Sequence, residues 1–294
     1  MTTAPVALPT QDMIRDYLDR LKLKNFSEHT LRCYGLDLHQ AEASLGKPLV
    51  QATHEELEVY IAGLARKGMK GTTVRRKQAS LRGFFNHCLR QKVIVIDPTG
   101  NFEPPKVEDR LPIYLNASQV QSLLDTLKGD TPADIREAAI VKALYYTGMR
   151  AGELVGLSIE DLFLDERELR VFGKGRRERM LPISDALAQA LDAWLAVHPV
   201  GKGPLFVSLH NHHRRLSYDS VYKIVKAVMA RAGLANRKFS CHKLRHTFAT
   251  RLINRKVSID KIQKLLGHRR IDTTTIYAHT ELGSDLRSAL ENAL

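Results

Sequence analysis

The segment 242–277 reads HKLRHTFATRLINRKVSIDKIQKLLGHRRIDTTTIY and carries the most information about the C-terminal half of the chain. Its apolar residues recur at helical spacing and predict two helices, about His242 to Asn254 and Ile259 to Leu266. Within the first of these helices, His242 and Arg245 stand three residues apart. That spacing places both side chains on one helix face, about 5–6 Å apart at Cβ, which suits the binding of a single phosphate.

Two further cations precede this segment. Arg150 follows a predicted turn at Thr147-Gly148-Met149, where one helix ends and another begins. Lys174 stands between two glycines at the tip of a predicted β-hairpin with strands at 168–172 and 179–183. A third short strand is predicted at 205–207. Phosphodiester transfer adds negative charge to the phosphate oxygens, so fixed cationic donors of this kind favour phosphoryl chemistry.

The rest of the chain is predicted to be mainly helical and divided into two domains. Residues 11–92 predict about four helices, one of which starts at a capping box formed by Thr53 and Glu56. Prolines then accumulate and the helical periodicity stops, which indicates a linker. We expect an N-terminal helical domain at 1–97, a linker at 98–116 and a C-terminal domain at 117–294 with a small β-hairpin or three-stranded sheet. Further helices are predicted at 118–128, 132–147, 185–197 and 218–232, with a final amphipathic piece near the C-terminus.

The composition favours a polyanionic partner. The 294 residues include 45 Lys plus Arg against 32 Asp plus Glu, a formal net charge of +13, and nucleic acid is the first candidate for such a chain. Three cysteines without CxxC spacing predict neither a disulfide framework nor a zinc knuckle. No apolar run approaches the ~20 residues of a membrane span, and the N-terminus does not resemble a signal peptide. We expect a cytoplasmic, nucleoid-associated protein.

The basic residues are concentrated in two stretches, 59–96 and 220–259, neither of which contains Asp or Glu. Lys and Arg can simply solvate a helix face, but such a face usually mixes charges of both signs. We therefore predict two DNA-binding surfaces, one in each half of the chain. The predicted DNA contacts are Arg75, Arg76, Lys77, Arg82, Arg214, Arg215 and Lys243.

The chain resembles the tyrosine recombinase (integrase) family and is similar to the bacterial Xer recombinases. The resemblance rests on five motifs in the order and spacing of the family, namely Thr147-Gly148-Met149-Arg150, Gly173-Lys174-Gly175, His242-Lys243-Leu244-Arg245-His246, Leu265-Leu266-Gly267-His268 and Thr274-Thr275-Ile276-Tyr277. It extends to the N-terminal half, where it implies a helical, SAM-like core-binding domain. It implies a two-domain DNA clamp that performs site-specific recombination through a Holliday junction.

The resemblance also implies roles for individual residues. Tyr277 would attack the scissile phosphate and leave a 3′-phosphotyrosyl bond, while Arg150 and Arg245 hold the phosphate. His242 would accept the tyrosine proton, since a free tyrosine titrates near pH ~10, and Lys174 would protonate the departing 5′-oxygen. In addition, a phosphate contact is implied for His268 and support of the site for Glu153. Neither a metal nor a cofactor is implied.

Assembly and biological role follow from the same resemblance. The partner would be a double-stranded recombination site, bound by a homo- or hetero-tetramer in which the helix at 285–294 docks on a neighbouring protomer. A partner recombinase or an activator protein is possible. The role would be resolution of chromosome or plasmid dimers, or integration and excision of a mobile element. The short N-terminal part favours a simple Xer-type enzyme.

Several alternatives stay open at this level. A type IB topoisomerase uses the same kinds of side chain, and a DNA-binding regulator can keep the fold without the reaction. The histidines at 210, 212 and 213 form either a metal site or a basic loop that contacts DNA, and their spacing favours the loop. Cys241 is expected to be a small buried residue, although a thiol beside a phosphate site would make activity sensitive to oxidation.

Overall fold

The computed structural model describes residues 10–103, 113–173, 178–235 and 239–267. The chain divides into two compact units, the N-terminal unit (Met1–Arg110) and the C-terminal unit (Leu111–Leu294). The described residues are mainly helical, with a small antiparallel sheet in the C-terminal unit, as the sequence predicts. None of the described helices is both long enough and apolar enough to cross a membrane.

The N-terminal unit is built on helices whose ends are set by local signals. Ser27 accepts a hydrogen bond from the N–H of Thr30 at the start of the second helix, and Gly46 ends that helix with φ of 66°. The predicted capping box of Thr53 and Glu56 is confirmed. The helices are α1 (Thr10–Leu23), α2 (Glu28–Leu45), α3 (His54–Arg66) and α4 (Gly71–Arg90).

The core of this unit includes the apolar stripe of α4. Phe84 and Phe85 are fully buried and belong to one cluster with Leu38 of α2 and Leu57 of α3. Arg75 lies on the exposed outer face of α4, as the charge pattern predicts. The amphipathic character of α4 is therefore confirmed.

Lys77 departs from that pattern. Its Nζ lies 3.0 Å from the buried carboxylate of Asp37 and donates to the Gln40 side chain at 2.6 Å. The residue is only 3% exposed. A buried ammonium paired with a buried carboxylate has no surface left for DNA, so the prediction of Lys77 as a DNA contact is wrong.

The other two residues of α4 that were predicted to contact DNA also form contacts within the N-terminal unit. Arg76 forms an ion pair with Asp37 and donates to the carbonyl of Cys33. Arg82 donates to the carbonyl of Phe102 and lies over its ring. Both side chains therefore have preferred positions set by protein contacts.

The C-terminal unit encloses a larger core around Trp194, Tyr145, Phe206 and Phe248, all nearly or fully buried. The indole N–H of Trp194 donates to the carbonyl of Leu205 at 2.7 Å. The helices of this unit are α5 (Ala117–Asp125), α6 (Pro132–Thr147), α7 (Ala151–Gly156), α8 (Asp185–Ala196), α9 (Tyr218–Arg231), α10 (Cys241–Asn254) and α11 (Ile259–Leu266).

The sheet of this unit contains the predicted hairpin but a different third strand. Strands β2 (Glu168–Phe172) and β3 (Glu178–Pro182) pair antiparallel, and β1 (Leu162–Phe163) adds to the free edge of β2. The predicted third strand at 205–207 is wrong. Its residues are buried, but Pro204 and Val207 form isolated bridges rather than a ladder. An apolar run predicts burial and does not by itself predict strand pairing.

Candidate active site

The turn between α6 and α7 places Arg150 at the start of a helix. Gly148 ends α6 with φ of 63°, and a Cβ at this position would lie 2.3 Å from Cδ1 of Phe248. Only glycine combines this left-handed backbone with such close packing. The chain therefore turns sharply here, and Arg150 occupies the N-cap position of α7.

Glu153 fixes the orientation of Arg150. The carboxylate accepts the backbone N–H of Arg150 at 2.8 Å and Nη1 of the same residue at 2.9 Å. The Arg150 side chain remains 42% exposed, whereas that of Glu153 is 6% exposed. One part of the guanidinium is thus held by the protein while another part faces solvent.

Arg245 also binds the turn that carries Arg150. It is buried in α10 and donates from Nη1 to the carbonyl of Gly148 at 2.8 Å. Its Nη2 donates to the carbonyl of Leu266 at 2.7 Å. Arg245 therefore connects the turn before Arg150 to the end of α11.

His242 lies in the first turn of α10, within electrostatic range of both arginines. Partial desolvation lowers the pKa of His242, and the positive charges of Arg245, Arg150 and Lys243 lower it further. The side chain keeps an exposed surface, so a substrate has access to it. A lowered pKa leaves the imidazole neutral at neutral pH, which is the form able to accept a proton.

Arg179 of β3 is a participant that the sequence did not single out. Its Nη2 donates to Oε2 of Glu153 at 2.8 Å, and its Nη1 donates to Oε1 at 3.3 Å. One signal was present in the sequence, because strand alternation places Arg179 on the same face as the buried Leu181. An arginine on an inward face requires a buried partner, and Glu153 is that partner.

The charge of Glu153 follows from these contacts. Burial raises the pKa of a carboxyl group, but the hydrogen bonds from Arg179 and from the backbone of Arg150, with the charges of both arginines, more than offset this effect. The net pKa of Glu153 is lowered. Glu153 is therefore a carboxylate, which can align two guanidinium groups at once.

The residues beside His242 and Arg245 are packed. Cys241 is buried, and burial raises the pKa of its thiol to about 11, in agreement with the expected small buried residue. Burial lowers the pKa of His246 to about 4, with further contributions from Lys243, His242 and Arg245. His246 is thus neutral across the physiological range.

The predicted DNA contacts of this unit differ from one another. Arg214 is exposed. Arg215 donates from Nη1 to the carbonyls of Val155 and Leu157 at 2.7 and 2.6 Å, and from Nη2 to Oγ of Ser158 at 3.0 Å. Its guanidinium therefore holds the segment after α7. Lys243 is partly buried, and desolvation lowers its pKa.

Three predicted site residues, Lys174, His268 and Tyr277, lie outside the described residues, as does the predicted helix at 285–294. Within the described part of the chain, Arg150, Glu153, His242 and Arg245 come together. The histidines at 210, 212 and 213 do not form a metal site there, because no group of three or more potential ligands is found among the described residues.

Comparison with known proteins establishes the family. Residues 114–282 match the phage integrase family, and residues 14–92 match the phage integrase N-terminal SAM-like domain. The chain belongs to the phage integrase family. It is a tyrosine recombinase, an enzyme that cleaves and rejoins DNA, and the comparisons do not support the topoisomerase or regulator alternatives.

The curated relatives include both Xer types. The chain is 34% identical to tyrosine recombinase XerD of Yersinia pestis over 278 residues, which cover 91% of this chain and 92% of the relative. It is also 34% identical to tyrosine recombinase XerC of Alcanivorax borkumensis, over 88% of this chain and 85% of the relative.

Solved structures agree on the fold. The XerA recombinase is 28% identical, covers 96% of each chain and superposes with a TM-score of 0.52. The XerH recombinase bound to its difH substrate is 20% identical, covers 94% of each chain and superposes with a TM-score of 0.74. The second likeness concerns the fold alone.

Proposed function

We propose that this recombinase performs site-specific strand exchange, with Tyr277 as nucleophile and with Arg150 and Arg245 as the phosphate-binding pair. One observation supports this most directly: Arg245 binds the carbonyl of Gly148, and the same turn presents Arg150 with its guanidinium partly open. Arg245 thus lies against the turn that carries Arg150, and two guanidinium groups supply the planar donors that phosphate oxygens accept.

The proposed chemistry is a reversible transesterification. The Tyr277 oxygen bonds to phosphorus as the bond from phosphorus to the 5′-oxygen breaks, and the tyrosine proton passes to the neutral His242. Lys174 donates a proton to the 5′-oxygen, and His268 donates a hydrogen bond to the phosphate. Rejoining reverses these steps with a new 5′-hydroxyl. The phosphotyrosyl bond conserves the energy of the broken link, so no ATP is required.

The proposed partner is a duplex recombination site. In the related folds, XerH is bound to difH and a lambda integrase tetramer is bound to a Holliday junction. We infer that the domains at 1–97 and 117–294, joined by the linker at 98–116, bind duplex DNA through Arg75, Arg76, Arg82, Arg214, Arg215 and Lys243. The active species is a tetramer, homo- or hetero-, that acts at the nucleoid in the cytoplasm and resolves dimers or moves a mobile element.

Trapping of the covalent adduct tests the nucleophile. The protein is first incubated with genomic DNA and then denatured, which traps DNA ends that are covalently attached to it. Sequencing of these ends gives the cleaved sequence. A nicked duplex of that sequence loses a short strand after cleavage and accumulates the adduct. Wild type and the control Tyr222→Phe, which changes an exposed tyrosine of α9, should form the adduct, whereas Tyr277→Phe should not. An adduct formed by Tyr277→Phe would refute the assignment.

The assembly is tested separately. Removal of residues 284–294 should abolish cooperative synapsis of two duplexes while binding of one site continues. Unchanged synapsis by the shortened chain would contradict docking of the C-terminal segment on a neighbouring protomer.

A further inference from the structure

Arg179 of β3 connects three separate parts of the C-terminal unit. Its Nη atoms bind both oxygens of Glu153 in α7, at 2.8 and 3.3 Å. Its Nε donates to the carbonyl of Leu265, near the end of α11, at 2.7 Å. The side chain is only 15% exposed. One guanidinium thus fixes the distances between a strand, the start of one helix and the end of another.

Through Glu153, Arg179 is connected to the proposed phosphate-binding arginine. Oε1 of Glu153 accepts from Nη1 of Arg150 at 2.9 Å, and Oε2 accepts the backbone N–H of Arg150 at 2.8 Å. Each carboxylate oxygen is therefore shared between Arg179 and Arg150. Without Arg179, the carboxylate would keep only its two bonds from Arg150 itself, so the Glu153 side chain could move and take the Arg150 guanidinium with it.

The end of α11 is held by two arginines on consecutive carbonyls. Arg179 binds Leu265 and Arg245 binds Leu266. At Gly267, a Cβ would lie 3.1 Å from Nη1 of Arg179, so the arginine is packed directly against the backbone at this point. His268 is the next residue in the sequence.

We propose that Arg179 is a positioning residue for strand transfer, which holds Glu153 so that Glu153 directs the Arg150 guanidinium toward the scissile phosphate. This rests on the proposed function, in that Arg150 is taken to bind that phosphate. The alternative is that Arg179 only stabilises the fold. A stabilising residue affects every substrate equally, whereas a residue that positions Arg150 affects most the substrates whose charge Arg150 neutralises.

The variants are Arg179→Met, Arg179→Lys and the control Arg170→Met. Arg170 lies on the neighbouring strand and pairs with Asp161 at 3.0 Å, so the control also removes an arginine from a carboxylate in the same unit. The probe is the nicked duplex of the mapped cleavage sequence. We expect Arg179→Met to bind this duplex like wild type but to cleave it about 100-fold more slowly, since a displacement of about 1 Å has an effect of this size.

Arg179→Lys keeps the charge but cannot bind two oxygens and a carbonyl with the same planar geometry. It should cleave about 10-fold more slowly, which also provides a variant if Arg179→Met does not fold. The Arg170→Met control should cleave at the wild-type rate. Equal cleavage by wild type and both Arg179 variants would overturn the proposal.

A second substrate separates positioning from stability. A duplex with a neutral methylphosphonate at the scissile position lacks the negative oxygen that Arg150 would bind. The ratio of wild-type to Arg179→Lys cleavage rates should fall toward one on this duplex. An equal ratio on both duplexes would show that Arg179 acts only on the fold.

A measurement without DNA keeps the two proposals separate. The Nε–Hε resonance of Arg150, assigned from the spectrum of Arg150→Lys, should broaden or shift in Arg179→Lys and remain unchanged in Arg170→Met. An unchanged resonance in Arg179→Lys would overturn the positioning role. Absence of a covalent adduct in wild type would instead refute the proposed function.

Discussion

Gly148→Ala should destabilise the C-terminal unit strongly. Alanine in the left-handed conformation that Gly148 adopts, with φ of 63°, costs about 1–2 kcal/mol. The new methyl group would lie 2.3 Å from Cδ1 of Phe248 and 3.0 Å from Cδ2 of Leu266, and overpacking of this kind costs about 1–3 kcal/mol. The lower entropy of the unfolded chain offsets about 0.4–1 kcal/mol. The expected net loss is about 2–4 kcal/mol.

Gly233→Ala is the matched control. Gly233 also follows a helix and has φ of 74°, but a Cβ there meets no atom within 4 Å. It should lose only about 1 kcal/mol, because the backbone term alone remains. Comparison of the two variants isolates the contribution of packing against Phe248.

Urea unfolding followed by tryptophan fluorescence measures this difference. The chain contains one tryptophan, and Trp194 is fully buried in the C-terminal unit, so the signal reports that unit. If Gly148→Ala loses no more free energy of unfolding than Gly233→Ala, the close packing of the turn does not determine its stability.

Three further outcomes are expected. Lys77→Met should destabilise the N-terminal unit by about 1.5–3 kcal/mol, since the buried carboxylate of Asp37 loses its ammonium partner and keeps only Arg76. Arg75→Gln should leave stability unchanged and reduce the salt slope of DNA binding by about one; a smaller slope change at Arg75 than at Lys77, measured by titration at several salt concentrations, would contradict these assignments. The pKa of His246 is about 4, against an ordinary value of 6.5, so its contribution to stability is complete above pH 6.5 and is lost as pH falls toward 4. The expected loss is roughly 2 kcal/mol after allowance for solvent screening of the half-buried ring. Urea unfolding of His246→Asn should show a flatter pH dependence between pH 4 and 6.5, and an unchanged profile would count against burial of a neutral ring. Iodoacetamide at neutral pH should label Cys33 before Cys241, because Cys33 is partly exposed and Cys241 is buried; mass spectrometry showing the reverse order would contradict the packing of α10.

Much of the fold was predictable because helix signals are local. The bounds of α11 match the prediction of Ile259 to Leu266, and those of α6 match 132–147. Apolar spacing, N-caps and terminal glycines act within a few residues of each other, so the sequence displays them directly. The strand predicted at 205–207 was wrong for the opposite reason, since strand pairing depends on a partner elsewhere in the chain.

The candidate site shows the same division. The amino-acid sequence was enough to indicate the family and the chemistry, because Arg150, His242 and Arg245 are residue types that phosphate transfer requires, in a recognisable order. Only the tertiary structure showed which cationic side chains are accessible to a ligand. Folding buried Lys77 against Asp37 and joined Arg179 to Glu153. An ion pair between residues distant in sequence forms only when folding brings their helices or strands together. The spacing of residues along the sequence does not show which of them will come into contact.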